Sequence, residues 1–240
     1  MANHGQFTYM ASIFHRRQGK FQFNCGGVLI TWSHVLTAGH CVLEAVRNKT
    51  GTIVKVNDRK PENFRIRLGD HSLKEKDHNE ERRRVRQLVP HPRPYYNCIN
   101  DSVCDGFIKL NDIGIIKLQR PVSRFNPYIK PLWPNSCFVK QKPQNGEDVI
   151  LTGWGFRERP DRRGDGQIIQ QPPNRPDYAP DKLRVMETSI ANCNNFTNTF
   201  DENDQFVCAF EKGRNAGSCR GDSGGWYSFF NQKKNVLQHI

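Results

Sequence analysis

Gly221-Asp222-Ser223-Gly224-Gly225 is the segment of this chain best suited to chemistry. A serine hydroxyl is a poor nucleophile near neutral pH until a base takes its proton, and acyl transfer needs backbone N–H donors to receive the developing oxyanion. Flanking glycines let backbone and substrate approach closely. Read by itself, the same string fits an ordinary Gly/Ser/Asp turn equally well. Two further segments supply what such a nucleophile requires. Thr37-Ala38-Gly39-His40-Cys41 carries a histidine beside a cysteine, and Asn111-Asp112-Ile113-Gly114-Ile115-Ile116-Lys117-Leu118 sets an acid at the head of an apolar run. A packed core histidine and a strand-capping aspartate are the plain readings of those two.

The elements that must position these residues are short strands. Runs rich in β-branched and aromatic residues occur at 21–23, 27–30, 34–38, 52–56, 64–68, 84–89 and 113–118, mostly separated by Gly, Asn, Asp or Pro. The pattern continues at 149–152, 183–189, 205–208 and 226–230. No helical period is sustained; helical turns are expected only just after residues 37–41 and near 190–196. Many short strands with frequent turns imply a sandwich or a pair of barrels. Pro121, Pro127, Pro131 and Pro134 mark an extended connector between two β units. The proline-rich, charged stretch 157–180 and the polar excursions 70–81 and 95–107 read as surface insertions, which account for a lean 36% hydrophobic content.

Charge and cysteine usage narrow the function classes. The formal charge of +12 is spread along the chain, with acids beside the basic residues at 74–81 and 157–165, so no nucleic-acid partner is expected. The densest run, Arg82-Arg83-Arg84-Val85-Arg86, is either a contact for heparin-like polyanions or the polar face of one strand. No apolar run reaches the roughly 18 residues of a membrane helix, and the first thirty residues show no signal-peptide core, so neither a membrane partner nor a targeting address is expected. Eight cysteines without a C-x-x-C pair or a clustered Cys/His set point to disulfides in an oxidising compartment and to no metal. Asn48-Lys49-Thr50, Asn100-Asp101-Ser102 and Asn195-Phe196-Thr197 fit the N-glycosylation pattern.

Six segments together carry a resemblance. The His, Asp and Ser segments, in that order, with Cys25-Gly26-Gly27-Val28-Leu29-Ile30, Arg67-Leu68-Gly69-Asp70-His71 and Leu151-Thr152-Gly153-Trp154-Gly155, resemble the chymotrypsin/trypsin family of serine endopeptidases. The resemblance runs from about Gly5 to the last residue. It implies an all-β fold of two antiparallel β-barrels: residues 1–120 would form the first, with His40 and Asp112, and residues 121–240 the second, with Ser223 and incomplete at its C-terminal end. Together they would make one peptidase domain.

By the same resemblance Ser223 attacks the scissile carbonyl, His40 relays its proton, Asp112 holds the imidazole, and the N–H groups of Gly221 and Ser223 form the oxyanion hole. No cofactor or catalytic metal is implied. The partners are protein or peptide substrates and serine protease inhibitors, and the setting is extracellular. Gly217 falls at the base of the specificity pocket, where trypsin-like members carry an aspartate, so a simple preference for Arg or Lys is not expected. Cys25 with Cys41 and Cys193 with Cys208 are the implied disulfides. Cys98 and Cys104, close together in an insertion, suggest a local bridge, and Cys137 and Cys219 are left without an assigned partner. Residues 70–80 resemble a loop that binds calcium in some relatives.

The chain departs from the family pattern at both ends. The Ile-Val-Gly-Gly start whose amine pairs with the acid before the nucleophile, here Asp222, is not present, nor is the Ser-Trp-Gly strand that lines one pocket wall. The expectation is a truncated peptidase with a full triad and weak or no activity. The competing reading is a non-catalytic protein on a protease fold that binds a glycan or protein partner.

Overall fold

Where apolar residues alternate with polar ones, the chain builds strands that bury one face. The computed structural model describes residues 1–49, 53–92, 95–100, 103–132, 144–155, 181–192, 208–210 and 221–229. In chain order these hold β1 (Met10–Arg17), β2 (Lys20–Thr31), β3 (His34–Thr37), the single turn α1 (Gly39–Val42), β4 (Leu43–Arg47), β5 (Ile53–Asp58), β6 (Phe64–Leu68) and β7 (Glu81–Pro90). Then follow β8 (Tyr95–Asn100), β9 (Val103–Leu110), β10 (Gly114–Leu118), β11 (Asp148–Gly153), β12 (Arg184–Ala191), β13 (Cys208–Phe210) and β14 (Trp226–Phe229).

Six strands close an antiparallel barrel in the order β1-β2-β3-β10-β7-β6. The strict alternation of β6 and β10 turns Phe64, Ile66 and Leu68, and Ile116 and Leu118, into it. There they join Ile13, Leu29, Val35, Val85 and Leu88 in one apolar core. The basic run of β7 lies on this wall: Val85 and Leu88 are buried, whereas Arg82, Arg84 and Arg86 are exposed. Two hairpins, β4-β5 and β8-β9, stand between successive barrel strands. The second occupies the polar excursion expected to be loop, and its register sets Cys98 opposite Cys104, a Cα spacing that a local bridge can span.

Among the described residues the second unit is a four-stranded antiparallel sheet, β13-β12-β11-β14. A second apolar cluster joins it to the barrel: Tyr9, Met10 and Val28 pack with Trp154 and Leu183. The indole N–H of Trp154 donates to the His71 carbonyl (3.1 Å), and Leu73 and Asp181 pair their backbones across the same seam. The helical turn expected near 190–196 is corrected in part, because Ile190 and Ala191 are the end of β12, paired with Ala209 and Cys208; residues 193–196 lie outside the described residues. So do residues 157–180.

Asp70 is a buried carboxylate at the edge of the barrel. It accepts the Ser12 hydroxyl, and Arg67 lies 4.0 Å away. Burial dominates, with Glu80 and Asp77 adding repulsion, so its pKa is pushed up to about 7 from 3.8 despite the Ser12 bond and Arg67. Between these values Asp70 keeps a proton in the folded protein that the unfolded chain has released, so its contribution to stability falls as pH rises from about 4 to about 7. The full shift is worth on the order of 4 kcal/mol. Asp70→Asn should flatten this slope and leave the variant more stable than the parent at pH 8. Urea midpoints at pH 4 and pH 8 check it; parallel pH dependences for the two proteins would refute it.

Candidate active site

His40 sits in α1, the short turn that follows β3. Its placement begins with the disulfide between Cys25 of β2 and Cys41, which ties the turn to the barrel wall. Gly39 brings the turn against the Asp112 segment: a Cβ there would stand 3.1 Å from both Asp112 Oδ1 and the Ile113 nitrogen. Gly114 meets the turn from the other side, where a Cβ would come within 2.8 Å of Val42.

Asp112 holds His40 at two points. Its Oδ1 accepts the His40 backbone N–H at 2.8 Å, and its Oδ2 lies 2.7 Å from the ring Nδ1. A carboxylate can only accept, so Nδ1 carries the proton and Nε2 is left as the basic nitrogen. The backbone device behind this is Asn111, which takes a left-handed conformation (φ 60) just before Asp112. Asparagine tolerates that region better than most residues. The sequence reading missed this role; an asparagine before an acid at a strand head is its only trace.

Ser223 meets the barrel through its backbone. Its carbonyl accepts the Gly26 N–H at 2.9 Å and lies 3.9 Å from Cys41 Sγ, so the serine loop rests on the disulfide that anchors His40. Gly221 (φ 99) and Gly224 (φ 74) both need the left-handed region. Asp222 accepts the Gly155 N–H at 2.6 Å, and its carboxylate fills the space beside Gly153 and Gly155, where a Cβ would stand 2.1 and 1.9 Å from its oxygens. The glycines of the 151–155 segment are thus a seat for Asp222, a role its motif alone did not disclose.

Of the other expected site residues, Gly217, Cys137, Cys193 and Cys219 lie outside the described residues. Cys208 is disulfide-bonded. Residues 70–80 do not form a calcium cage as arranged. Arg67 and Arg82 both lie on Glu80, Arg67 also approaches Asp70, and Asp77 Oδ2 is taken by the N–H groups of His71 and Ser72. Cationic side chains thus stand where a calcium ion would be needed. Among the described residues Cys25, His40 and Cys41 group their ligand atoms, but both sulfurs are committed to the disulfide.

A family model described as Trypsin matches residues 1–236. Kallikrein-15 of Homo sapiens is 30% identical over 207 residues, covering 85% of this chain and 66% of that protein. Vitamin K-dependent protein C of Mus musculus is 30% identical over 207 residues, covering 86% of this chain and 37% of that protein. The chain therefore spans less than two thirds of the length of both relatives. Among solved structures, neuropsin, a serine protease expressed in the limbic system of mouse brain, is similar with a TM-score of 0.65 and 25% identity over 98% of this chain and 82% of that one.

The serine loop is held by a contact only glycine allows. A Cβ on Gly224 would lie 2.2 Å from Thr37 Oγ1 and 2.6 Å from the Gly26 carbonyl oxygen, on backbone already at positive φ. Thr37 Oγ1 itself donates to that carbonyl at 2.8 Å and cannot retreat without breaking the bond. Gly224→Ala should cost about 2–4 kcal/mol, combining backbone strain with overpacking. Chemical denaturation of the variant measures it, and an unchanged midpoint would contradict the packing described.

Proposed function

The chain belongs to the trypsin family of serine proteases, and on that footing we propose that it hydrolyses peptide bonds with His40, Asp112 and Ser223 as a catalytic triad. The nearly all-β structure, with its closed six-stranded barrel, matches the trypsin-like fold of neuropsin. The observation that carries the proposal is the two-point hold of Asp112 on His40, made beside the disulfide on which Ser223 rests.

In this reading the Ser223 hydroxyl attacks the substrate carbonyl as its proton passes to His40 Nε2. The carbonyl oxygen becomes an oxyanion facing the N–H groups of Gly221 and Ser223, each worth on the order of 3 kcal/mol in such chemistry. The intermediate collapses to an ester on Ser223 as the imidazolium returns its proton to the departing amine. Water, activated by the same nitrogen, then hydrolyses the ester and frees Ser223. Asp112 keeps the proton on Nδ1 and compensates the imidazolium charge while the ring is protonated.

Proteins or peptides are the substrates and serine protease inhibitors the natural antagonists on this reading. The Cys25–Cys41 disulfide supports an extracellular setting, where such bonds persist. Exposed Arg82 and Arg84 on β7 support contact with polyanions. The resemblance would put Gly217 at the pocket base, and a glycine side chain offers no carboxylate to a cation, so on this reading cleavage after Arg or Lys is not the preferred mode.

A fluorophosphonate probe on folded, disulfide-bonded protein should label Ser223. His40→Ala should abolish labelling, and Asp112→Asn should lower turnover by about four orders of magnitude through the wrong tautomer. Labelling would set aside the weak or absent activity expected from the sequence; its absence in protein with native circular dichroism would defeat the proposal that this chain hydrolyses peptide bonds. A peptide-library profile should show apolar or mixed residues before the cut bond, with Gly217→Asp shifting it toward Arg and Lys; strict cleavage after Arg or Lys in the parent would sink the pocket assignment.

A further inference from the structure

The outer wall of β6 and β7 carries charge that the proposed catalytic site does not use. Register sets Arg65 opposite Arg84 and Arg67 opposite Arg82, like charges facing each other across the ladder. β1 and β2 extend the same wall with Phe14 opposite Arg65 and Phe21 opposite Arg16. The Arg67 guanidinium lies 4.0 Å from the Phe14 ring centre, Arg65 4.6 Å from that of Phe21, and Arg16 5.4 Å from the same ring. A groove of about 330 Å³ runs between the two rings and the arginines of β6 and β7.

Nearby acids neutralise part of this charge. Arg82 and Arg67 share Glu80, Arg67 also approaches Asp70, and Arg83 pairs with Glu81. Among the described residues no carboxylate lies within ion-pair distance of Arg16, Arg65 or Arg84. Burial, with repulsion from Arg84 and Arg16, holds the Arg65 guanidinium below its usual value. The wall is therefore cationic and electrostatically strained.

Its geometry selects the kind of anion. β6 and β7 are paired on both sides within the closed barrel, so the wall offers no free strand edge to a peptide. Guanidinium groups lie over both rings, so charge stands at the mouth of the groove. What remains are planar guanidinium forks carried on Cα atoms about 5 Å apart across the ladder and about 7 Å apart along each strand, with one nitrogen of Arg65 on the Glu62 and Phe64 carbonyls and one of Arg67 on the Leu73 carbonyl. Such forks suit sulfate oxygens, which accept bidentate guanidinium bonds. We propose that Arg65, Arg67, Arg82 and Arg84, with Arg16 at the margin, form a binding site for a linear sulfated polysaccharide.

The site is independent of the triad and narrows the contact expected at residues 82–86. Arg83 donates to the Pro121 carbonyl and to Glu81, at the groove's edge. Arg86 lies where the pairing of β7 with β10 slips between Val85 and Gln87, and it does not line the groove.

A heparin octasaccharide titrated into the full-length, disulfide-bonded protein at rising NaCl tests the proposal by binding alone. The double substitution Arg65→Gln and Arg84→Gln should weaken binding at least tenfold at low salt and reduce the slope of log affinity against log salt by about two. Its melting temperature at low salt should equal or exceed the parent's, because a repelling pair is removed. Arg120→Gln with Lys130→Gln, an equal loss of charge elsewhere on the surface, should leave affinity near that of the parent. Equal losses in the two double variants would replace a site with diffuse charge and overturn the proposal. So would tighter binding of a polyglutamate of matched charge, which would assign the wall to an acidic peptide, or an unchanged affinity in the groove variant.

Discussion

One carboxylate reaches across 72 residues of sequence to fix both the backbone and the ring of a histidine, and the arrangement of the barrel around it follows from that demand. For Asp112 to reach α1, β10 must pair with β3, and it does so from Gly114 opposite Thr37 to Lys117 opposite His34. For the turn to stay there, Cys41 must be tied to Cys25, and positions 39 and 114 must lack side chains. The two-point bond restrains rotation of the ring as well as its position. On the proposed triad, that restraint matters more than the modest net energy of either hydrogen bond, because a base is useful only when its free nitrogen faces one direction.

The junction between barrel and serine loop is built almost wholly of backbone. Gly26, Gly224 and Gly225 approach so closely that a Cβ on Gly26 would lie 3.2 Å from the Gly225 backbone. Main chain against main chain leaves no rotamers to fluctuate, so the loop inherits the rigidity of β2. Asp222 completes it from the other side through the Gly155 N–H. The second apolar cluster, centred on fully buried Trp154, holds the two units in the register this junction needs.

How much of this was legible in the sequence depended on burial. β6 and β10 bury one face and expose the other, so their alternation was plain, and the bounds read for β6 match those observed. β1 was missed because Met10 through Phe14 are buried on both faces, against the barrel core on one side and against Trp154 or arginine stems on the other; no alternation survives there. The β8-β9 hairpin was read as loop because its composition is polar. That His40 and Asp112 meet was accessible only through resemblance, since spacing along the chain says nothing of a contact made by barrel closure. The left-handed Asn111 and the Asp222 seat depend on backbone angles and close approaches that no hydrophobic pattern records.

The closed barrel also governs when such a site can exist. The strand that delivers Asp112 is the last of the six in the chain, and it must fit between β3 and β7 after both hairpins have been made. Ser223 follows more than a hundred residues later. Non-local pairings of this kind are formed late, once shorter loops have closed. A nascent or partly folded chain therefore holds His40, Asp112 and Ser223 apart until the barrel has closed. On the proposed triad, closure of the barrel would be the step that assembles the site.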